Sequence, residues 1–260
     1  MDPSMRASAS GMMAQQTRVE VISNNLANVS TTGFKRSRPH FEDLLYQTVQ
    51  EAQLVDGEDA GSIPSIQVGR GTRLAAVQRT GEQGSLEPTN RPLDLAVEGP
   101  GFFQVQLPDG GIAYTRDGSF GLSDEGVIVT HGGYTVVPGV SIPIDAQEVG
   151  ISRTGIISVR VGDASVEVGR LELARFTNAP GLEAQGENLF RETAASGSPI
   201  VGFPQDDGFG RLVQGSLEGS NVEIVQEMVD MITALRAYEI NSKALQTSEQ
   251  MAETANNLIR

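Results

Sequence analysis

Apolar positions recur along this chain in three regimes, and the change of regime marks its parts. Near the start, Met12, Val19, Ile22, Leu26 and Val29 follow spacings of 7, 3, 4 and 3, with Gln15 as a polar interruption. That is the rhythm of one helix face, and sustained over four turns it predicts a coiled-coil seam. From Asn28 the chain collects Asn, Ser, Thr and Gly up to Gly33. These side chains compete for backbone hydrogen bonds or tolerate positive φ, so the helix is expected to stop there. At the other end Ile224, Met228, Met231, Leu235 and Tyr238 alternate spacings of 4 and 3, and Leu245, Ala252 and Ile259 continue the stripe past Ser242, Glu249 and Asn256. Ser220 with Glu223 forms a capping-box pattern, and neither Pro nor Gly occurs from Asn221 to Arg260. About 40 residues at about 1.5 Å each predict a helix near 60 Å long, which has to pack on something extended.

Between these ends the period changes to two. Leu93, Leu95 and Val97 alternate with Asp94 and Ala96, and Phe103, Val105 and Leu107 alternate with Gln104 and Gln106. Further strands are expected at Val127–Thr130, Tyr134–Val137, Ile156–Val161 and Gly169–Phe176. Turn chemistry separates them at Pro108-Asp109-Gly110-Gly111, Arg116-Asp117-Gly118, Asp124-Glu125-Gly126 and His131-Gly132-Gly133. Short strands at this spacing predict an antiparallel β domain. The pattern is loose from Phe34 to Gln83: Phe41, Leu44, Leu45 and Val49 fit a short helix, and the polar, Gly-rich Asp56–Gly61 reads as an exposed loop. The expected class is therefore α+β, with long terminal helices paired as a coiled coil around a central, mainly antiparallel β domain. Its parts are an N-terminal helix over 1–33, a connection over 34–92, a β domain over 93–195, a return connection over 196–219 and a C-terminal helix over 220–260.

Composition sharpens this. In 260 residues there are 30 Gly and 12 Pro, no Trp, and only 5% aromatic residues, thin for one compact core of that length. The absence of Cys removes disulfides, thiolate metal sites and cysteine nucleophiles. A net charge of −14 argues against nucleic acid as partner. Its distribution is more telling. Arg6, Arg18, Lys35, Arg36 and Arg38 against Asp2 and Glu20 leave residues 1–38 at +3, whereas Glu223, Glu227, Asp230, Glu239, Glu249 and Glu253 against Arg236, Lys243 and Arg260 leave residues 220–260 at −3. Opposite signs suit helices lying side by side, as register more than as adhesion, because exposed pairs contribute only about 0–1 kcal/mol each. No cleavable signal peptide is visible, and no stretch is long and apolar enough to span a membrane.

Catalytic patterns are absent. His40 follows a proline and His131 sits in a Gly-rich turn, without nucleophile or metal-ligand context. Gly69-Arg70-Gly71 lacks the third glycine and the helix of a nucleotide site, and fits a turn in a β hairpin. Asp206-Asp207 lacks the alternating ligands of a calcium loop, and Asp117, Asp124 and Glu125 fit turns better than a glycosidase carboxylate pair. No catalytic, cofactor-binding or metal residue is assigned.

Ser23-Asn24-Asn25-Leu26-Ala27-Asn28-Val29-Ser30-Thr31-Thr32-Gly33-Phe34-Lys35, with Ala9-Ser10-Gly11-Met12 before it, resembles the N-terminal signature of the rod and hook family of bacterial flagellar axial proteins. Glu218-Gly219-Ser220-Asn221-Val222-Glu223 and Arg236-Ala237-Tyr238-Glu239-Ile240-Asn241-Ser242-Lys243-Ala244 resemble its C-terminal helix. Pro64–Gly71 and Gly99-Pro100-Gly101-Phe102-Phe103 resemble the distal-rod branch in particular. The chain departs from the family at Arg6-Ala7-Ser8, where bulky apolar residues are usual. The resemblance implies a structural subunit that polymerises helically into a rod spanning the periplasm, exported by the flagellar type III apparatus, with proximal rod proteins, hook protein and basal-body rings as neighbours. It also places Tyr46–Ile66 at the insertion that distinguishes the straight rod from the flexible hook. The assembly interface is expected at Met12, Val19, Ile22, Asn24, Asn25, Leu26, Asn28, Val29, Ile224, Met228, Met231, Leu235, Tyr238 and Leu245. The alternatives are another rod or hook component, and a periplasmic or surface enzyme acting on polysaccharide with helical oligomerisation arms.

Overall fold

The computed structural model of the chain describes residues 3–50, 53–54, 62–63, 65–143, 145–162 and 164–258. It is α+β and divides into two compact units. One comprises Met1–Leu26, Ser37–Gln78 and Glu223–Arg260, and the other Ala27–Arg36 and Arg79–Val222.

The first unit holds both helices. Helix α1 spans Pro3–Ala27 and ends where the Asn/Ser/Thr/Gly run begins. Helix α2 spans Ile224–Leu258, 35 residues or about 52 Å. It starts later than the capping box predicts. Ser220 Oγ accepts from Val222 N at 3.3 Å, and the Glu223 carbonyl accepts the Glu227 N–H at 3.0 Å, so Ser220 shapes the approach and the first helical turn closes after it.

The segment after α1 is extended, not helical. Ser37–Asp43 pairs with Thr72–Arg79, Gln47–Gln50 with Ile66–Val68, and Gln53–Leu54 with Ser62–Ile63, the latter two pairs antiparallel. The short helix expected around Phe41–Val49 is thus two strands. Leu44, Leu45 and Val49 serve a ribbon in which Leu45, Tyr46 and Val49 stay exposed. Gly69-Arg70-Gly71 links strands that pair with different partners, so it is a crossing point and not a hairpin turn. A Cβ on Gly71, at φ +111°, would collide with Ser10 Oγ of α1, and Ser10 Oγ accepts the Thr72 N–H at 3.2 Å. Asp56–Gly61 lies outside the described residues.

The strands of the second unit all pair antiparallel, with a short 3-10 turn at Ala179–Gly181. Its main sheet has nine strands among the described residues, with Phe102–Gln106 at its centre, flanked by Ile112–Thr115 on one side and by Thr135–Val136 and Leu173–Arg175. Glu148–Ile151, Ile156–Val161 and Ala164–Arg170 form a separate three-stranded sheet. Leu95–Glu98 pairs with Arg211–Gln214, and Leu86–Pro88 with Ser216–Glu218. The long strand expected at Gly169–Phe176 is divided, because Leu171 leaves the ladder to enter the core.

Both faces of the central strand are covered, which defeats simple alternation. Phe103 and Val105 enter the larger core with Leu95, Phe120 and Ile157, whereas Phe102 packs on a second cluster of Tyr114, Phe176 and Phe190. The second cluster is aromatic edge-to-face packing: Tyr114 lies 4.7 Å from Phe176 between ring centroids, and Phe102 lies 6.0 Å from both Phe176 and Phe190. Leu95, Ala96 and Val97 are all buried for the same reason. A strand between two apolar layers carries a near-continuous run of buried positions.

Gly118 is required by contact and not by a hairpin turn. A Cβ there would overlap the Leu95 carbonyl oxygen, so Arg116-Asp117-Gly118 is a close strand approach. Gly118→Ala is expected to destabilise the β unit by several kcal/mol or prevent folding, whereas Gly81→Ala, with nothing within 4 Å of its Cβ, should change thermal stability by less than about 1 kcal/mol. Equal melting shifts for the two variants would contradict this packing.

Candidate assembly surface

The two helices run antiparallel and meet through small and polar side chains. Gly11 lets the Asn241 side chain approach to 3.0–3.2 Å of where a Cβ would sit. Arg18 Nη2 lies 3.6 Å from Asp230 Oδ1, the opposite-sign pairing expected from the terminal charge balances. Asn25 Nδ2 donates to Glu227 Oε2 at 3.1 Å. Ala14, Ile22, Ala234 and Glu227 are buried along the same contact. Beyond Ser248, residues 249–257 of α2 are exposed on every side.

Asn25 does more than touch α2. Its amide accepts the Ser37 N–H at 2.9 Å and donates to the Ser37 carbonyl at 2.9 Å, imitating one rung of a β ladder. It is 1% exposed, so it fixes the end of α1 against the first strand and against Glu227 simultaneously. An aspartate could accept but not donate, and would face the Glu227 carboxylate.

The expected interface residues fall into two groups. Ile22 and Asn25 are buried; Met12, Val19, Leu26, Met231 and Leu245 are half-buried on the paired helices, and Asn24 is exposed. In the second unit Asn28 and Val29 are half-buried, and Asn28 Oδ1 accepts from the Thr31 hydroxyl at 3.2 Å. By contrast Ile224, Met228, Leu235 and Tyr238 are 41–52% exposed. Val19, Leu235 and Tyr238 do line one small cleft of about 190 Å³ together with Gln15 and Gln16. The face of α2 that α1 covers is therefore displaced by about one position from the apolar stripe, to Glu227, Asp230, Ala234 and Asn241. The signal was available as the same 3-and-4 spacing carried by small and polar residues. Neighbouring Val225, Val229 and Ile232, 51–70% exposed, widen the uncovered apolar band.

In the second unit the family-like segments converge on Glu218, which sequence spacing alone did not single out. Its carboxylate, fully buried, accepts from Lys35 Nζ, from Arg116 Nη1 at 3.3 Å and from the Gly84 N–H at 3.1 Å. Its carbonyl accepts the Gly33 N–H at 2.8 Å. Gly33 sits at φ +67°, with the Arg116–Asp117 backbone 2.8 Å from where a Cβ would project, so both conformation and contact require glycine. Lys35 Nζ also donates to the Glu82 carbonyl at 2.8 Å, and Arg116 to those of Val97 and Gly99 at 3.2 and 2.8 Å. Asn221 completes the set by accepting Arg36 N–H at 2.7 Å and donating to Glu82 O at 3.0 Å. Burial pushes the Lys35 and Arg116 pKa values down, and Glu218 opposes that by holding both protons.

Among the described residues no group of three or more His, Cys, Asp or Glu is placed to hold a metal ion, and no helix is long and apolar enough to cross a membrane. Glu218→Gln would leave two buried cations facing a neutral amide and should cost about 3–5 kcal/mol, lowering the melting temperature of the β unit by roughly 10 °C. Asn25→Asp should loosen the α1–α2 pair by about 1–3 kcal/mol, read as faster hydrogen exchange in α2 near Glu227 with the β unit unchanged.

Three family models match the chain in order: Flagella basal body rod protein over residues 5–35, Flagellar hook protein FlgE/F/G D1 domain over 96–159, and Flagellar basal body rod FlgEFG protein C-terminal over 213–258. The flagellar basal-body rod protein FlgG of Borreliella burgdorferi is 51% identical over 256 residues, covering 97% of both chains. FlgG of Caulobacter vibrioides is 48% identical over 98% of both, and FlgG of Bacillus subtilis 37% over 99% of both. FlgF of Caulobacter vibrioides is more distant, at 33% over 98% of this chain and 97% of its own. These relatives are structural rod proteins, which removes the polysaccharide-acting enzyme from consideration. The Asn25 clamp lies in the first matched segment and Glu218 in the third. The chain belongs to the FlgG family of flagellar basal-body rod proteins, as a structural rod component of the basal body.

Proposed function

We propose that this chain polymerises helically with copies of itself into the distal part of the rod, the outward face of α2 forming the contact between subunits. The uncovered apolar band on α2 carries this reading: Ile224, Val225, Met228, Val229, Ile232 and Leu235 stand 46–70% exposed on one long helix while its covered face is polar and small. A soluble monomer has no use for such a band. Covering a side chain of this size is worth about 1.5–3 kcal/mol, so the six half-exposed ones contribute roughly 5–9 kcal/mol. Association costs on the order of 4–15 kcal/mol. One such contact is therefore marginal alone, and a lattice in which each copy makes several is favoured.

In this assembly torque passes through packed contacts with no reaction. Proximal rod proteins, the hook protein and the basal-body rings are the neighbours, and the flagellar type III apparatus is the export route. The ribbon of Gln47–Gln50 with Ile66–Val68, bearing exposed Tyr46, Val49 and Ile66, lies where the distal-rod insertion is expected and supplies a second exposed apolar surface.

Leu235→Glu tests the reading against its neighbour Ala234. Leu235 is 46% exposed, so the charged monomer should remain folded, with an unchanged thermal transition, yet fail to sediment as polymer. Ala234 is fully buried against α1, so Ala234→Glu should melt the helix pair first. Wild-type sedimentation by Leu235→Glu would remove α2's outer face from the contact.

A further inference from the structure

The β unit contains an open cleft of about 360 Å³ whose lining combines cations with aromatic rings. Its walls include Lys35, Arg79, Arg116 and Arg175, with Phe102, Phe176 and Phe190 beneath. Arg116 lies 5.1 Å from the Phe102 ring centroid and Arg79 5.3 Å from that of Phe190. Glu218 is the carboxylate that meets this group, and it pairs with Lys35 and Arg116 only. Arg79 donates to the Leu182 carbonyl at 3.1 Å, and neither Arg79 nor Arg175 has a carboxylate partner among the described residues. Arg116, with its side chain 8% exposed, and Arg175 each keep an Nε–H without an acceptor. A half-open pocket therefore holds an uncompensated positive charge over an apolar floor, in a chain whose net charge is −14.

We propose that this cleft receives a second copy of the chain, through a carboxylate with an apolar neighbour that inserts between Arg79 and Arg175 onto the Phe102–Phe190 floor. The argument is charge complementarity. A cationic recess on a strongly acidic chain is complementary to the rest of that chain's own surface. A recess on one copy and a projection on the next make a heterologous contact, which propagates instead of closing. Burial already lowers the Arg79 pKa, so an incoming carboxylate relieves a cost that the monomer carries unaided. The contact rests on the self-assembly proposed above and differs from it in the residues used: it is formed by the β unit and not by α2.

The test uses full-length chain. Arg79→Glu and Arg175→Glu should each raise the critical concentration for polymerisation at least tenfold, with the Arg79→Lys polymer close to wild type and the monomer melting curves superimposable. A photo-crosslinking side chain at Gly81, where a Cβ meets open space, should join isotopically light to heavy copies in the polymer at peptides containing Asp or Glu. Wild-type polymer with unchanged critical concentrations for both charge reversals, or with no light-to-heavy crosslink from position 81, overturns this contact and leaves the α2 interface standing. A wild-type chain that never polymerises overturns both.

Discussion

The β unit is held closed by one buried carboxylate. Glu218 gathers Lys35 from 183 residues earlier and Arg116 from 102 residues earlier, while its own backbone caps Gly33. It joins the segment leaving α1 to the strand Ser216–Glu218 that precedes α2. A buried pair is a poor source of net stability, because desolvation offsets attraction. Its value is selectivity: a lone buried cation is so unfavourable that only the arrangement with all three groups together is tolerated. Lys35 and Glu218 close the N-terminal and C-terminal family segments on each other, so neither segment's sequence makes sense without the other.

The helical unit separates attachment from assembly. Gly11, Ala14, Arg18 and Asn25 hold α1 to Glu227, Asp230, Ala234 and Asn241, leaving the bulky apolar residues of α2 on another face. The contact between the helices is polar and specific, whereas the uncovered band is apolar.

Much of this was legible in the sequence, for reasons that differ by region. The end of α1 followed from local chemistry at Asn28–Gly33, and the strand Ile156–Val161 from its period. What failed did so where tertiary cover decided. Leu95–Val97 hides three successive residues because layers press on both sides, and no period of two survives that. Leu44, Leu45 and Val49 have helical spacing but lie in a ribbon. The α2 stripe follows from its spacing, and most of it, Ile224, Met228, Leu235 and Tyr238, is left uncovered by α1. Periodicity records which residues share a face, and carries no information on whether that face meets the same chain or another. Gly33, Lys35 and Glu218 were visible only as parts of family-like segments, because a buried ion pair spanning such distances leaves no local pattern.

The helices also differ in length. At 25 residues against 35, antiparallel and in register at Gly11 and Asn241, α1 ends before the last turns of α2 do. A bare stub of helix is a joiner's tenon. Units with flush ends stack in courses, and a column of courses shears along the seam between any two. In the polymer proposed above, copies with such an overhang interleave, so that every transverse plane through the column cuts through helices as well as between them. Twisting such a column loads hydrogen-bonded backbone along its axis, and the weakest plane is no longer a boundary between subunits.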